Sequence, residues 1–337
     1  MKAFFHPSQN LHAPKSYFSR GQMRAPQEVP DRVGPLLEGL KAIDVEVLQP
    51  TDHGGGPIAR IHDLGYLRFL ESAHRRWIQM EDWGDEVMSN IYVRSPNAMR
   101  GVLAEAARYM ADGSSPIGPN TWEAAYWSAQ TALSAADALI AGERTSYALC
   151  RPPGHHTRRD AAGGFCYLNN AAIATQHLTS KFPRIAILDT DMHHGQGIQE
   201  IFYDRSDVLY ISIHVDTTNF YPVVTGFEDE RGAGQGYGYN INLPMPHGST
   251  EDFFFEKVEE AMTAISLFQP DALVHVLGFD VYHNDVQAKV SVTTEGLNRL
   301  GDRIRHTGLP TLVVQEGGYD LEALSINVQN YFKGLNG

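Results

Sequence analysis

Three polar clusters each follow an apolar run: Arg151-Pro152-Pro153-Gly154-His155-His156, Asp189-Thr190-Asp191-Met192-His193-His194-Gly195-Gln196-Gly197 and Gly278-Phe279-Asp280. A fourth, Glu316-Gly317-Gly318-Tyr319, is placed in the same way. Asp191 and His193 are two apart, so at an extended strand end their side chains leave on one face. With Asp280 they make two carboxylates and an imidazole, a three-donor set that leaves a position open for water. Such a set suits catalytic Zn²⁺, or Fe²⁺, better than a closed structural site. A cation there would polarise an amide carbonyl and lower the pKa of its water toward about 7. A neighbouring histidine can take the water's proton and later protonate the leaving amine. Asp189 can orient a histidine of the first cluster. Tyr319, on a Gly-Gly turn that lets the backbone come close, can donate its hydroxyl to a tetrahedral oxyanion. The chemistry is that of a metal-assisted amide hydrolase.

Plainer readings exist for each residue. The histidine pairs could be buried and hydrogen-bonded, Asp189 could cap the helix after Gly197, and Tyr319 could be packing. Cys150 and Cys166 read as small buried residues, since nothing marks either thiol as activated. His275, inside an apolar strand, reads as a satisfied core histidine. His283, three residues past Asp280, belongs to the rim or to an outer layer of the site.

The elements that must position these clusters alternate. Strands are expected at Lys2–Phe5, Val45–Leu48, Thr145–Leu149, Arg184–Leu188, Val208–His214, Gly238–Leu243, Ala272–Leu277 and Thr311–Val314. Helical patterns fall at Leu64–Met80, Trp122–Ala141, Asn170–Thr179, Glu251–Phe268, Thr294–His306 and Leu321–Lys333. Near-continuous apolar strands between helices predict an α/β fold with a mainly parallel sheet covered on both faces. In such a sheet the ligand crevice lies at the carboxyl ends of the strands, so all four clusters converge on one edge. No repeat or linker divides the chain, and one domain over residues 1–337 is expected. Residues 81–120, with acidic Glu81–Glu86 and turns at Ser95-Pro96 and Gly113–Pro119, break the pattern. A connection of that length predicts a lid or an oligomer contact.

Composition narrows the class. A formal net charge of −13 argues against nucleic acid or an anionic membrane as partner and is compatible with a cationic substrate. Two cysteines exclude a disulfide framework and fit a reducing cytoplasm. The N-terminal apolar run is too short for a signal peptide, and no segment has the roughly eighteen apolar residues of a membrane span.

The ordered set Arg151–His156, Gly163-Gly164-Phe165-Cys166-Tyr167-Leu168-Asn169-Asn170, Asp189–Gly197, Leu277–Asp280 and Glu316–Tyr319 resembles the successive motifs of the histone deacetylase superfamily. Within it the chain is most similar to bacterial acetylpolyamine amidohydrolases and deacetylase-like amidohydrolases. The likeness runs over nearly the whole chain, including Ile61-His62-Asp63, Tyr66-Leu67 and Thr121-Trp122-Glu123. It implies a three-layer α/β/α arginase–deacetylase fold around an eight-stranded sheet. It further implies Asp191, His193 and Asp280 as zinc ligands, His156 as general base and acid, and His155 as its electrostatic partner paired to Asp189. Tyr319 would stabilise the oxyanion. Phe165 and Tyr221 would wall a narrow tunnel, with the Gly164 carbonyl near the scissile amide. A structural potassium ion would be held by Asp189, Ser212 and the carbonyls of Asp191, His193 and Ile213. A second monovalent site would use carbonyls of Phe202, Arg205, Val208 and Tyr239. A homodimer is expected from the resemblance and the long insertion.

The chain departs from the family pattern in places. Gln196 stands where the family carries Asp or Asn, as a longer partner for His156. The usual Asp-Pro is Asp285-Val286, followed by Gln287 on the tunnel rim. Tyr17 and Arg100 occupy positions where acidic residues grip polyamine cations, and an arginine there would oppose a dicationic substrate. The expected activity is hydrolysis of a slender N-acyl amine: acetylpolyamine, acetyl-lysine or another small amide. A protein-lysine deacetylase is the nearest rival. A binuclear manganese ureohydrolase would need a second bridging carboxylate where Tyr282 stands. An acyl-amine sensor would lack a ligand, the base or the oxyanion donor, and none is missing.

Overall fold

The computed structural model describes residues 1–93 and 99–337, so the expected turn at Ser95-Pro96 lies outside the described residues. Eight strands form one sheet: β1 (Lys2–Phe4), β2 (Val47–Leu48), β3 (Thr145–Ala148), β4 (Ile185–Asp189), β5 (Val208–Val215), β6 (Asn240–Met245), β7 (Ala272–Leu277) and β8 (Thr311–Gln315). Their order is β2-β1-β3-β8-β7-β4-β5-β6, and every pairing is parallel. All eight coincide with expected strands, with no end displaced by more than two residues and Ala272–Leu277 unchanged. Gly238, expected to open β6, instead takes φ +92° in the preceding turn.

Strands β4, β5, β7 and β8 are buried along their whole length, and alternate residues serve two separate cores. Ile185, Ile187, Val274 and Val276 join one, and Ala186, Leu188, Leu273 and Leu277 join the other. The first core is closed by α2 (Leu64–Trp77), α3 (Val102–Tyr109), α4 (Thr121–Ile140), α5 (Asn170–Leu178) and α6 (Gln196–Phe202). The second is closed by α1 (Val33–Lys41), α7 (Glu251–Phe268), α8 (Thr294–Arg305) and α9 (Leu324–Asn336). This is the expected three-layer α/β/α arrangement, and the period-2 split of apolar side chains across the pleat is its cause.

Local chemistry sets the helix ends. Asp63 caps α2 by accepting from Gly65 N at 2.7 Å, Asn169 caps α5 through Ala172 N at 3.0 Å, and Thr293 caps α8 through Gly296 N at 3.0 Å. The final helix starts at Leu324 rather than Leu321, because Asp320 ties the preceding turn by accepting from the amides of Glu322 and Ala323. Among the described residues, four α-helices lie outside the expected ranges: a single turn at Gly56–Ala59, α3 inside residues 81–120, the short α6, and α1. The Gly34, Pro35 and Gly39 of α1 lower its intrinsic propensity. Tertiary packing requires Gly39: a Cβ there would lie 2.0 Å from Val328 Cγ1 and 2.6 Å from Ser325 O of α9.

Among the described residues no helix is long and apolar enough to cross a membrane.

Candidate active site

The four cluster-bearing strands, β3, β8, β7 and β4, are consecutive in the sheet. Since they run parallel, their carboxyl ends deliver Arg151–His156, Glu316–Tyr319, Gly278–Asp280 and Asp189–Gly197 to one place. A cavity of about 540 Å³ opens there, lined by His155, His156, Asp191, His193, Gly317 and Tyr319 at its floor.

On that floor, His193 Nδ1 lies 3.2 Å from Asp191 Oδ1 and 3.1 Å from Asp280 Oδ2. Backbone amides aim the carboxylates: Gly317 N donates to Asp191 Oδ2 at 2.9 Å, and Met192 N to Asp280 Oδ1 at 3.1 Å. The His193 ring stacks on Phe220 at 5.3 Å. Two glycines form a cradle under the carboxylates. A Cβ on Gly278 would lie 2.4 Å from Asp191 Oδ2, and one on Gly317 2.7 Å from Asp280 Oδ2. Two carboxylates buried this deeply demand positive charge. Burial and the Asp191 charge push Asp280 up to about 7, and both carboxylates, outweighing burial, raise His193 to about 9. One imidazole and two oxygens within 4.8 Å of one another fit a divalent cation of the zinc or ferrous type.

The two histidines of the first cluster have opposite characters. His155 Nδ1 sits 3.1 Å from Asp189 Oδ2, and the Gly154 and His155 amides both donate to Glu316 Oε2. Burial opposes charge on His155, but Asp191 and Asp189 outweigh it and raise its pKa to about 10. His156 is driven well below the ordinary value by burial and then by the neighbouring His155 and His193. One histidine is held as a cation and the other as a neutral base. Asp189 does not cap the following helix. Its oxygens take the His155 ring, the Tyr210 hydroxyl and the Asp191 amide.

His156 is oriented by a chain of directional hydrogen bonds. Its Nδ1 lies 2.6 Å from Gln196 Oε1, Gln196 Nε2 donates to the Tyr221 hydroxyl at 3.1 Å, and that hydroxyl donates to Asp112 Oδ2 at 2.7 Å. A carboxylate can only accept, so the Tyr221 proton is committed to it. The phenol oxygen must then accept from the Gln196 amide, which turns Oε1 toward His156. His156 therefore carries its proton on Nδ1 and keeps Nε2 as a lone pair. Gln196 holds its bond to His156 because Tyr221 braces the far end of the amide.

The walls are aromatic. Phe165 takes φ +68°, a strained value for a bulky residue, and its ring meets Tyr17 at 5.0 Å and Tyr319 at 6.2 Å. Gly164, at φ +57°, packs flat on His156: a Cβ would come within 2.3 Å of the imidazole Cδ2. Tyr221 meets His156 edge-on at 4.8 Å. The Tyr319 hydroxyl has no hydrogen-bond partner among the described residues, while its backbone is fixed. Asp285 Oδ2 accepts from the Tyr319 and Asp320 amides, and Arg32 donates to the carbonyls of Gly318 and Glu316 at 2.6 Å.

Of the other expected residues, Gln287 lines the cavity, paired with Gln27. Ser212 stands beside Asp189 in the β4–β5 register and bonds His214 Nδ1 at 2.8 Å. Tyr17 is in the wall, whereas Arg100 is exposed and outside the lining. His275 is satisfied on both nitrogens by Tyr331 and Thr190, both cysteines are buried, and His283 is exposed. Four contributors went unread in the sequence: Asp112, Arg32, Glu28 and the hairpin Tyr17–Ser19/Gln22–Arg24. Glu28 pairs at once with Arg32 (3.0 Å) and Arg151 (2.9 Å), all three buried. The Gly-Ser turn after Asp112 was the one available signal.

Residues 26–335 match the family profile described as "Histone deacetylase domain". The chain belongs to the histone deacetylase family. Members of the family similar to it include the acetylpolyamine amidohydrolase of Burkholderia pseudomallei (strain 1710b), 63% identical over 336 residues, covering 99% of this chain and 98% of that protein. Acetylpolyamine amidohydrolase 1 of Pseudomonas aeruginosa PAO1 is 42% identical over 346 residues, covering 100% and 99%. A crystal structure of the acetylpolyamine aminohydrolase from Burkholderia pseudomallei superposes with a TM-score of 0.99 at 62% identity, covering 100% of this chain and 99% of that one. The family fold, a parallel eight-stranded sheet between two helical layers, is the one built above from the strand pattern.

Proposed function

We propose that this family member, an amide hydrolase, removes the acetyl group from small acetylated amines, with Asp191, His193 and Asp280 holding one zinc ion. The observation that carries the reading is the meeting of three features on one cavity floor: a buried three-donor cluster, a neutral histidine and an unpartnered tyrosine hydroxyl. Zinc, when bound there, would supply Lewis acidity to the acetyl carbonyl and acidify its water.

The protein's own groups do the rest. His156 Nε2 takes a proton from the attacking water and returns it to the departing amine. The cationic His155, clamped by Asp189, keeps His156 from acquiring a resting proton and stabilises the negative charge that grows on the carbonyl oxygen. Tyr319 donates its hydroxyl to the developing oxyanion from a loop that is already fixed. Phe165 and Tyr221 flank the slender acyl-amine chain, and the Gly164 carbonyl receives the scissile N–H. Gln287 lies at the rim.

The mouth supports a small amine over a protein side chain. Residues 17–20 and 111–114 overhang it together with Tyr92. Among the described lining residues the only carboxylates are Asp191, at the floor, and Asp112, which is already paired, whereas Arg20, Arg24 and Lys289 are all basic. A substrate with one distal ammonium group therefore fits better than one with several. Turnover of acetylputrescine and acetylcadaverine should exceed that of acetyl-lysine peptides and acetylspermine. Faster hydrolysis of the peptides would replace this reading with a protein-lysine deacetylase.

Family likeness carries the reading further. Asp189, Ser212 and adjacent carbonyls would hold a structural potassium ion. The whole chain would act as one catalytic domain, since strands from residue 2 to residue 315 share one sheet. A cytoplasmic homodimer would form through the region around residues 81–120, where Ile91, Tyr92, Val93 and Met99 are exposed.

A further inference from the structure

A second cluster of metal-binding groups lies away from the cavity. His53, Asp137 and His177 each present one donor atom, all within 4.8 Å of one another. His177 Nε2 is 2.6 Å from Asp137 Oδ1, His53 Nδ1 is 3.7 Å from Asp137 Oδ2, and the two rings are 5.9 Å apart and nearly perpendicular. Asp137 and His177 occupy the last turns of α4 and α5, whose chains then lead into the amino ends of β3 and β4. The four catalytic clusters follow the opposite ends of those strands. None of the three lines the catalytic cavity.

We infer that His53, Asp137 and His177 form a second binding site for a borderline divalent cation of the zinc, cobalt or nickel class, clipping the segment at residues 51–54 to α4 and α5. Two imidazoles and one carboxylate on a half-open face leave positions for water and suit these ions over calcium or magnesium, which prefer oxygen.

The surroundings are built to present the donors. Ser134 Oγ accepts from Thr51 N at 2.9 Å and contacts His53 Nε2 at 3.1 Å. In the tautomer that gives Nε2–H to Ser134, the one an ion would select, His53 turns its Nδ1 lone pair toward Asp137, the outer-partner arrangement that metal-binding histidines use to fix ring angle. Gln130 holds the same segment from both sides, accepting from His53 N at 2.7 Å and donating to Gly54 O at 3.2 Å. The segment is therefore in place before any ion arrives. Burial lowers the pKa of His53, so its ring is a neutral ligand at pH 7. The last turns of two helices also point their carbonyl ends here, which favours a cation. The Lys181 ammonium already exploits this by donating to Ile140 O at 2.6 Å.

The test is zinc stoichiometry of the holoenzyme by equilibrium dialysis and plasma mass spectrometry, with Co²⁺ absorption as a second probe. Wild type should take up one equivalent beyond the tightly held catalytic ion. His177→Gln and Asp137→Asn should each weaken that second equivalent at least about 10-fold, and Ser134→Ala by a smaller factor. All three should retain the first equivalent and the deacetylation rate, which also reports correct folding. Should Asp137→Asn fail to fold, His53→Gln makes the same test. A ratio of one ion per chain at millimolar zinc would overturn the inference. So would a second equivalent unchanged in His177→Gln and His53→Gln, which would mean scattered surface binding. The stoichiometric result rests on the catalytic site being filled, whereas the comparison of His177→Gln and His53→Gln with wild type does not depend on the catalytic proposal.

Discussion

Replacing Tyr221 by Phe removes one oxygen and leaves the ring that meets His156 edge-on, so it isolates the directional chain from Asp112 to the base. In the wild type, a flipped Gln196 amide would turn Oε1 toward a phenol oxygen whose only proton belongs to Asp112. That flip forfeits one hydrogen bond and sets two lone pairs face to face, a cost of about 1–2 kcal/mol. The wrong His156 tautomer, with Nδ1 bare and Nε2 protonated, is thereby held to about a tenth of the population or less. In Tyr221→Phe that bias disappears, and the base-competent fraction falls toward a half. The expected outcome is a drop in kcat of roughly 2-fold, KM for acetylputrescine little changed, and zinc content unchanged. Asp112→Asn, which can donate as well as accept, should act in the same direction. Steady-state kinetics on the metal-defined enzyme, with ¹⁵N-histidine NMR to read the tautomer, would check it. An unchanged kcat would refute the orienting role. A fall beyond about 100-fold would also refute it, since that loss would place Tyr221 in the chemistry itself.

Three further outcomes follow from the geometry. Tyr319→Phe should lower kcat by about 10²–10³-fold with zinc retained, because the loop is fixed by Asp285 and Arg32 and only the oxyanion donor is lost; a rate within 10-fold of wild type would mean another group fills that role. Gly164→Ala should nearly abolish turnover while leaving the thermal midpoint high, since the added methyl must displace the His156 ring; full activity would show that the ring is not clamped there. Glu28→Gln leaves two buried guanidinium groups without their shared counter-charge and should cost about 3–5 kcal/mol of stability at pH 7 by chemical denaturation. Burial works against the Glu28 carboxylate, but Arg151 and Arg32 prevail and hold its pKa below the ordinary value. Its contribution is thus complete above the unfolded-state pKa and is lost as pH falls through the folded one. The gap between wild type and variant should close in acid, and a gap that widens there would contradict the assignment.

The sequence by itself determined the sheet and which polar groups gather at its edge. Strand positions were legible because residues buried on both faces make unbroken apolar runs, and the rule that parallel strands present their carboxyl ends together then brought Asp191, His193, Asp280, His156 and Tyr319 to one edge. Asp191, His193, Asp280 and Tyr319 lie two to four positions past their strands' ends, so chain continuity carries them into place, while His156 is eight past β3 and is brought in by the turn at Arg151–Gly154. What only the tertiary structure decided is the support around them. Asp112 reaches Tyr221 across 109 positions, Arg32 reaches Gly318 across 286, and Glu28 finds Arg151 from a loop with no periodic pattern. The helix that starts just after Arg32, α1, was hidden because Gly39 weakens it locally, and its packing on α9 restores what propensity lacks. Local pattern records which face a residue turns to the core. It holds no record of which distant polar atom waits there, because a side-chain hydrogen bond is set by ångström-scale placement that exists only after both layers have closed on the sheet.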